Sequence, residues 1–103
     1  MGVRLRISRQ TLALLEALLV HPAQWHHGYA LSQQTGLASG TLYPILMRLE
    51  KSGWLETRWE DVPVSGRPPR HFYRLSGYGR EWAREELGAA RESKFWKPAH
   101  SKV

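Results

Sequence analysis

Apolar positions recur with a helical period along much of the chain, most clearly between Ser39 and Glu50. Four aliphatic side chains there follow the i, i+3, i+4, i+7 spacing that forms one buried helical face: Leu42, Ile45, Leu46 and Leu49. The other positions form the outward face: Gly40, Thr41, Tyr43, Met47, Arg48 and Lys51. This outward face is small and hydroxylated at its start, aromatic next and basic further along, a composition suited to reading a nucleic-acid groove.

The start of this helix depends on Pro44, because proline lacks the amide hydrogen that an interior helical position donates. A cap at Thr41 would place Pro44 in the first turn without loss. A cap at Ser39 would leave the Gly40 carbonyl without its usual partner. In both cases we expect the first turn to present backbone amides and the Ser39 and Thr41 hydroxyls, which together suit a phosphate.

Three further helices are predicted from caps and periodicity. The first begins after Ser8 and ends near Val20, ahead of Pro22. The second covers residues 28–35 and ends at Gly36, a residue suited to the left-handed conformation. The last begins after Ser76. A short helix, a turn containing glycine and a second amphipathic helix follow the helix-turn-helix plan.

The first helix is apolar most of the way round, so we expect it to have two burial partners. One is the protein core. The other is either a second subunit or the chain's own C-terminal helix, and the sequence leaves both open.

Two strands are predicted after the organising helix, over residues 54–60 and 71–75. The loop between them holds Gly66 and three prolines, which prevent regular pairing. Two strands joined by an irregular basic loop after a helix-turn-helix form a wing. The predicted fold is therefore mainly α with a small β-hairpin (α+β), a winged helix-turn-helix followed by a C-terminal helix.

We expect four segments: a basic N-terminal arm (1–7), a winged helix-turn-helix domain (8–75), a C-terminal helix (76–96) and a disordered tail (97–103). The chain has 103 residues, a net charge of +6 and no cysteine. One domain with one core is expected, and disulfides and cysteine-type zinc sites are excluded. The longest apolar run, Leu12 to Val20, is too short for a bilayer. We therefore expect a cytoplasmic protein without a membrane partner.

The positive charge is unevenly distributed, since no lysine or arginine lies between Gln10 and Met47. Basic residues collect instead in the N-terminal arm, between Arg48 and Arg74, and in the tail. A basic wing next to an amphipathic helix favours a polyanionic partner.

With these elements in place, the chain resembles a short member of the PadR family of bacterial winged-helix transcription regulators. The resemblance is carried by residues 27–31, 35–37, 39–46, 49–55, 59–60, 66–70 and 72–75. The Gly-Thr-Leu-Tyr-Pro run at 40–44 combined with Gly-Arg-Pro-Pro-Arg at 66–70 is more specific than either motif alone. The turn at 76–80 departs from the family, having Gly77 and Tyr78 where polar residues are common.

The resemblance implies a homodimer that binds a roughly two-fold operator on double-stranded DNA and usually represses transcription. Residues 8–75 would then be the DNA-binding domain and residues 76–96 the C-terminal dimerisation helix, with the first and last helices at the interface. The candidate interface residues are Leu12, Leu15, Leu19, Trp82, Leu87 and Ala90.

The candidate DNA-binding residues lie on the organising helix and the wing: Ser39, Gly40, Thr41, Tyr43, Pro44, Arg48, Arg67 and Arg70. Thr41 and Tyr43 are candidates for base or sugar contact, although Tyr43 could instead pack under the wing. Arg67 and Arg70 are expected to reach phosphates or a minor groove. The alternative is a solvated loop whose arginines only aid solubility.

The sequence gives weaker support for a metal site, a catalytic site or a small-molecule site. His21, His26 and His27 are close in sequence, but no carboxylate completes a metal set at ligand spacing. No nucleophile has a matching base, so we expect neither an enzyme nor a metal or other cofactor. Trp25, Phe95 and Trp96 could line a site for a small aromatic effector, or could simply supply buried area.

The sequence therefore predicts a sequence-specific DNA-binding transcriptional regulator, a homodimeric repressor. Two alternatives remain: a winged helix used for protein association, and a DNA-architectural or replication accessory protein with little sequence preference.

Overall fold

Four helices and a three-stranded antiparallel sheet make up the fold in a computed structural model that describes residues 7–61 and 65–92. In chain order they are α1 (Arg9–Val20), β1 (His26–His27), α2 (Gly28–Thr35), α3 (Ser39–Lys51), β2 (Leu55–Trp59), β3 (His71–Leu75) and α4 (Gly77–Arg91). The predicted α+β class is confirmed.

Local signals set several helix ends as the sequence predicts. The Ser8 side chain accepts a hydrogen bond from the Thr11 amide at 3.1 Å and caps α1. The Ser76 side chain likewise accepts from the Gly79 amide at 2.9 Å and caps α4. At the end of α2, Gly36 adopts the left-handed conformation with φ 75°. Each contact satisfies or redirects a backbone group that a helix end leaves without a partner.

The sheet has one strand more than the predicted hairpin. Its order is β1-β3-β2, and β1 pairs with β3 through His26 opposite Tyr73 and His27 opposite Phe72. A two-residue strand is too short to show the alternating pattern that identifies strands, so only its partner strand reveals it.

The core lies between the helices and the inner face of the sheet. Its largest fully buried side chains are Leu14, Leu15, Leu18, Leu31, Leu42, Leu46, Leu49 and Leu75. All four predicted inner positions of α3 are buried. This fixes which face of α3 remains available outside.

Helices α1 and α4 pack against each other within one chain, and Arg91 Nη2 lies 3.8 Å from Glu16 Oε2 across them. Leu12, Leu15 and Leu87, predicted for a dimer interface, are buried in the chain's own core. The other three interface candidates, Leu19, Trp82 and Ala90, are only partly buried. Helix α4 covers much of the surplus apolar surface of α1, and a role of these residues in a dimer interface stays a prediction.

Parts of two predicted segments lie outside the described residues. Of the N-terminal arm only Ile7 is described, and it packs partly against the core. The predicted segment 76–96 is described as a helix to Arg91, and the tail lies beyond. Within residues 7–61 and 65–92, no helix is long and apolar enough to cross a membrane.

Candidate nucleic-acid interface

The turn between α2 and α3 is held by side chains of α2. The Ser32 hydroxyl donates to the Leu37 carbonyl at 2.6 Å, and the Thr35 hydroxyl both donates to the Leu31 carbonyl at 2.7 Å and accepts from the Leu37 amide at 3.2 Å. These bonds fix the path of the chain from one helix into the next. The turn therefore sets where α3 begins and which face it exposes.

Helix α3 begins at Ser39 with Ala38 as its cap, so neither predicted cap is correct. Ala38 has extended backbone angles, φ −67° and ψ 154°, and its carbonyl accepts from the Thr41 and Leu42 amides, both at 2.9 Å. Pro44 consequently lies inside the helix. Because no side chain caps this end, the Ser39 and Thr41 hydroxyls are left for other partners.

The outer face of α3 carries most of the residues predicted for DNA contact. The structure exposes all six of the candidates on this helix: Ser39, Gly40, Thr41, Tyr43, Pro44 and Arg48. Arg48 and Lys51 lie in the last turn, where a cation is also favoured by the helix dipole.

Tyr43 is 40% exposed, yet its position is tightly constrained by α2. A Cβ atom added to Gly28 would lie 2.9 Å from Tyr43 Cζ and closer still to the hydroxyl oxygen. The ring thus packs on the first residue of α2 while part of it faces solvent, and DNA contact by Tyr43 stays a prediction.

A concave surface lies between α3 and the wing, with a volume of about 1010 Å³. We call it the wing cleft. It is lined by His27, Tyr29, Ala30, Tyr43, Met47, Glu50, Trp59, Arg67, Pro68, Pro69, Arg70, His71 and Tyr73. Six large hydrophobic residues are exposed in the described part of the chain, and four of them (Tyr29, Tyr43, Met47 and Trp59) line this cleft. An exposed apolar concentration of this kind marks an interaction surface.

The cleft wall formed by the sheet is an aromatic stack. The Trp59 and His71 rings are 4.3 Å apart and nearly parallel at 8°, and the Tyr73 hydroxyl lies 3.1 Å from His71 Nδ1. Burial, followed by the nearby Tyr43 and Glu50, raises the pKa of Tyr73 to about 12. Sequence reasoning did not propose this wall, although the register places Trp59 opposite His71 on one sheet face.

The two predicted wing arginines differ in their surroundings. Arg67 is paired with Glu60, with Arg67 Nη1 at 3.1 Å from Oε1 and Nη2 at 3.1 Å from Oε2. Arg70 is exposed, and its backbone amide donates to Glu60 Oε1 at 3.2 Å. A carboxylate therefore already holds the Arg67 guanidinium, and DNA contact by the two arginines stays a prediction.

Trp25 lies near the wing strands instead of at an apolar ligand site. The Arg74 guanidinium carbon is 4.4 Å from the Trp25 ring centroid and that of Arg58 is 5.3 Å away, within the range of cation–π attraction. Phe95 and Trp96, its predicted partners in an effector site, lie outside the described residues.

The histidines considered as metal ligands do not converge. His26 Nε2 lies 3.3 Å from the His21 carbonyl oxygen, and burial lowers the pKa of His26. Burial and the positive charges of Arg70 and Arg67 lower the pKa of His27. In residues 7–61 and 65–92, no group of three or more potential ligands could hold a metal ion.

The fold is a winged helix-turn-helix of the kind that binds DNA, because it combines a helix-turn-helix, an exposed second helix and a basic β-wing. The family model described as the transcriptional regulator PadR-like family matches residues 17–85. The chain belongs to this family of transcription regulators.

Solved structures agree with the family assignment. A PadR-like transcription factor from Bacteroides fragilis is 26% identical with a TM-score of 0.65, and the alignment covers 82% of this chain and 84% of that one. A PadR family transcriptional regulator from Eggerthella lenta is 27% identical with a TM-score of 0.66, covering 81% and 75%. NadR, solved in complex with 4-hydroxyphenylacetate, is 25% identical with a TM-score of 0.61, covering 81% of this chain and 54% of that one. No curated protein matches the chain.

Proposed function

We propose that this protein is a transcriptional repressor that binds a two-fold operator sequence-specifically as a homodimer. The observation that carries the proposal is the continuous surface formed by the outer face of α3, the wing cleft and Arg70. The first turn of α3 offers hydroxyls and backbone amides for phosphate and base edges. The cleft beside it offers apolar walls for sugars and base methyl groups.

Each subunit would insert the first turn of α3 into a major groove and place its wing alongside. The two half-sites of a dimer would then lie about one helical turn, ~10 bp, apart. Tyr43 and Thr41 are the residues proposed for base or sugar contact. Ser39, Gly40, Pro44 and Arg48 would fix the position of the helix on the backbone.

Selection of bound duplexes from a random pool tests this proposal most directly. A two-fold consensus is expected, with affinity that falls steeply as salt rises because phosphate contacts release counterions. Binding without enrichment would favour the architectural alternative. The absence of duplex binding would favour a protein-association module. Repression is then tested by placing the selected site in a promoter upstream of a reporter gene.

We propose that the dimer interface uses the apolar surface of α1 and α4 that the chain's own core does not cover. This surface includes the partly buried Leu19, Trp82 and Ala90. Replacing Ala90 by Glu should shift the protein toward monomer in sedimentation velocity, because it puts a charge at the proposed contact. Ala89→Glu is the matched control, since Ala89 is the exposed neighbour on the same helix. Equal effects of the two variants would place the interface elsewhere.

Regulation by a small aromatic effector is a separate proposal, supported by the likeness to NadR in complex with 4-hydroxyphenylacetate. A ligand that binds one dimer geometry better than another would shift DNA affinity. Titrating planar aromatic compounds while following tryptophan fluorescence and DNA release tests it. If no compound in a broad panel changes both signals, effector control of this kind is excluded.

A further inference from the structure

Glu60 is the one acidic side chain placed at the base of the wing with both of its oxygens engaged, among the residues that the structure describes. Oε1 accepts from the Arg70 amide and lies in ion-pair contact with Arg67 Nη1, and Oε2 accepts from Arg67 Nη2. Each of these three nitrogen–oxygen distances lies between 3.1 and 3.2 Å. The carboxylate therefore bridges two points of the wing loop.

A backbone hydrogen bond also joins the two ends of the wing loop. The Glu60 amide donates to the Arg70 carbonyl at 2.8 Å, one step beyond the Trp59–His71 pair that ends the β2–β3 ladder. In a regular antiparallel ladder the Glu60 carbonyl would accept from the Arg70 amide. Here the Glu60 side chain accepts that bond, so the same carboxylate extends the sheet and holds Arg67.

The Glu60–Arg67 pair is also better protected from solvent than the Glu56–Arg74 pair, which joins β2 and β3. The Glu60 and Arg67 side chains are 21% and 26% exposed, whereas those of Glu56 and Arg74 are 47% and 35% exposed. A charge-assisted hydrogen bond between a guanidinium and a carboxylate gives a defined geometry as well as attraction. Arg67 is thus less free to reach a phosphate than Arg70.

We propose that Glu60 is a positioning residue of the DNA-binding surface: it keeps Arg67 paired within the wing, also in the DNA complex, and leaves wing phosphate contact to Arg70. The inference rests on the proposed DNA-binding function. The pairing lowers the electrostatic, sequence-independent part of the affinity, which arises from cations that displace counterions. A wing in which one arginine stays paired, whatever the DNA sequence, discriminates more strongly between a preferred site and random DNA.

The test compares wild type, Glu60→Gln, Arg67→Ala and the double variant on a labelled random-sequence duplex over a range of salt concentrations. Glutamine keeps an oxygen that can accept from the Arg70 amide, but it removes the charge that holds Arg67. We expect Glu60→Gln to bind random DNA more tightly and to steepen the salt slope by about one, because Arg67 becomes available to a phosphate. The double variant should return to the wild-type slope.

The opposite assignment gives different results on the same four proteins. If Arg67 leaves Glu60 and contacts phosphate in the wild-type complex, the double variant loses about one unit of slope and Glu60→Gln gains none. That outcome overturns the proposal. A structural role alone would change thermal unfolding without steepening the slope.

Glu56→Gln is the matched control for general charge removal. Glu56 accepts from Arg74 Nε at 2.7 Å and lies on β2, the strand that leads into Glu60. Both variants replace one carboxylate by an amide, so they change the net charge equally. If Glu56→Gln steepens the slope as much as Glu60→Gln does, the effect is not carried by Arg67 and the proposal is wrong. If wild type binds no duplex at any salt concentration, the proposed function itself fails, which is a separate result.

Discussion

The ring of Tyr43 occupies the space that a side chain on Gly28 would need. An added Cβ would lie 2.9 Å from Tyr43 Cζ and 3.1 Å from Cε1. Since Gly28 is the first residue of α2 and Tyr43 belongs to the outer face of α3, the absence of a side chain on one helix determines where the aromatic ring of the other helix sits.

Gly28→Ala should therefore weaken DNA binding with little loss of stability. The atoms displaced belong to the end of one side chain, so we expect the free energy of unfolding to change by less than about 1 kcal/mol. Binding should weaken by about 1 kcal/mol, the net value of a typical hydrogen bond. Fluorescence anisotropy with a selected duplex and urea unfolding measure the two quantities.

A double-mutant cycle shows whether Tyr43 carries this effect. In a Tyr43→Ala background the alanine at position 28 should have no further effect on binding. Gly77→Ala is the control, because nothing lies within 4 Å of its added Cβ and it lies at the start of α4. An undiminished effect of Gly28→Ala without the tyrosine would disprove the relationship.

Two glycines of α4 should respond to alanine with opposite sign. A Cβ on Gly79 would overlap the Trp54 carbonyl, lying 2.8 Å from its carbon, whereas a Cβ on Gly88 meets nothing within 4 Å. Gly79→Ala pushes against backbone and should cost about 1–3 kcal/mol of unfolding free energy. Gly88→Ala should gain about 0.5–1 kcal/mol, because glycine is unfavourable inside a helix. Chemical denaturation of both variants tests this, and a stable Gly79→Ala would contradict the close packing.

The sequence predicts features that a local residue pattern encodes. It does not predict features that depend on side chains meeting across a turn, across a loop or between distant segments. The inner stripe of α3, the Ser8 and Ser76 caps and the Gly36 turn are all encoded within a few residues. The cap of α3 was wrong because the preceding turn, held by Ser32 and Thr35, sets where the helix begins.

Features of the candidate site follow the same division. The outward position of Tyr43 follows from helical periodicity alone. Its contact with Gly28 and the wing cleft join segments that are distant in sequence, and the Glu60–Arg67 pair closes across an irregular loop. No periodicity specifies which side chains meet across a loop or between two helices, so these contacts cannot be predicted from the sequence.

Ser39 and Ser76 allow the role of a helix cap to be separated from a role on the DNA-binding surface. The Ser76 hydroxyl oxygen accepts from the Gly79 amide and its hydrogen is donated to the Gly53 carbonyl at 2.7 Å. Ser76→Ala should lower the free energy of unfolding by about 1–2 kcal/mol. Ser39 is inside α3 and does not cap it, so Ser39→Ala should stay within about 0.5 kcal/mol while weakening DNA binding several-fold. If Ser39→Ala destabilises the fold as Ser76→Ala does, the assignment of Ala38 as the cap is wrong.

Tyr73 should make the stability of the fold depend on alkaline pH. Burial raises the pKa of its hydroxyl from 10.0 to about 12, so the folded chain holds its proton where the unfolded chain loses it. The contribution is complete below pH 10 and is lost as the pH rises toward 12, with a size on the order of 2 kcal/mol. Tyr73→Phe, which has no hydroxyl to ionise, should lose less stability over this range than wild type. Tyr78→Phe, which removes a tyrosine that is 55% exposed, is the control for loss of a phenol. Denaturant unfolding at a series of pH values gives the comparison, and parallel curves for wild type and Tyr73→Phe would show that the buried hydroxyl does not couple to folding.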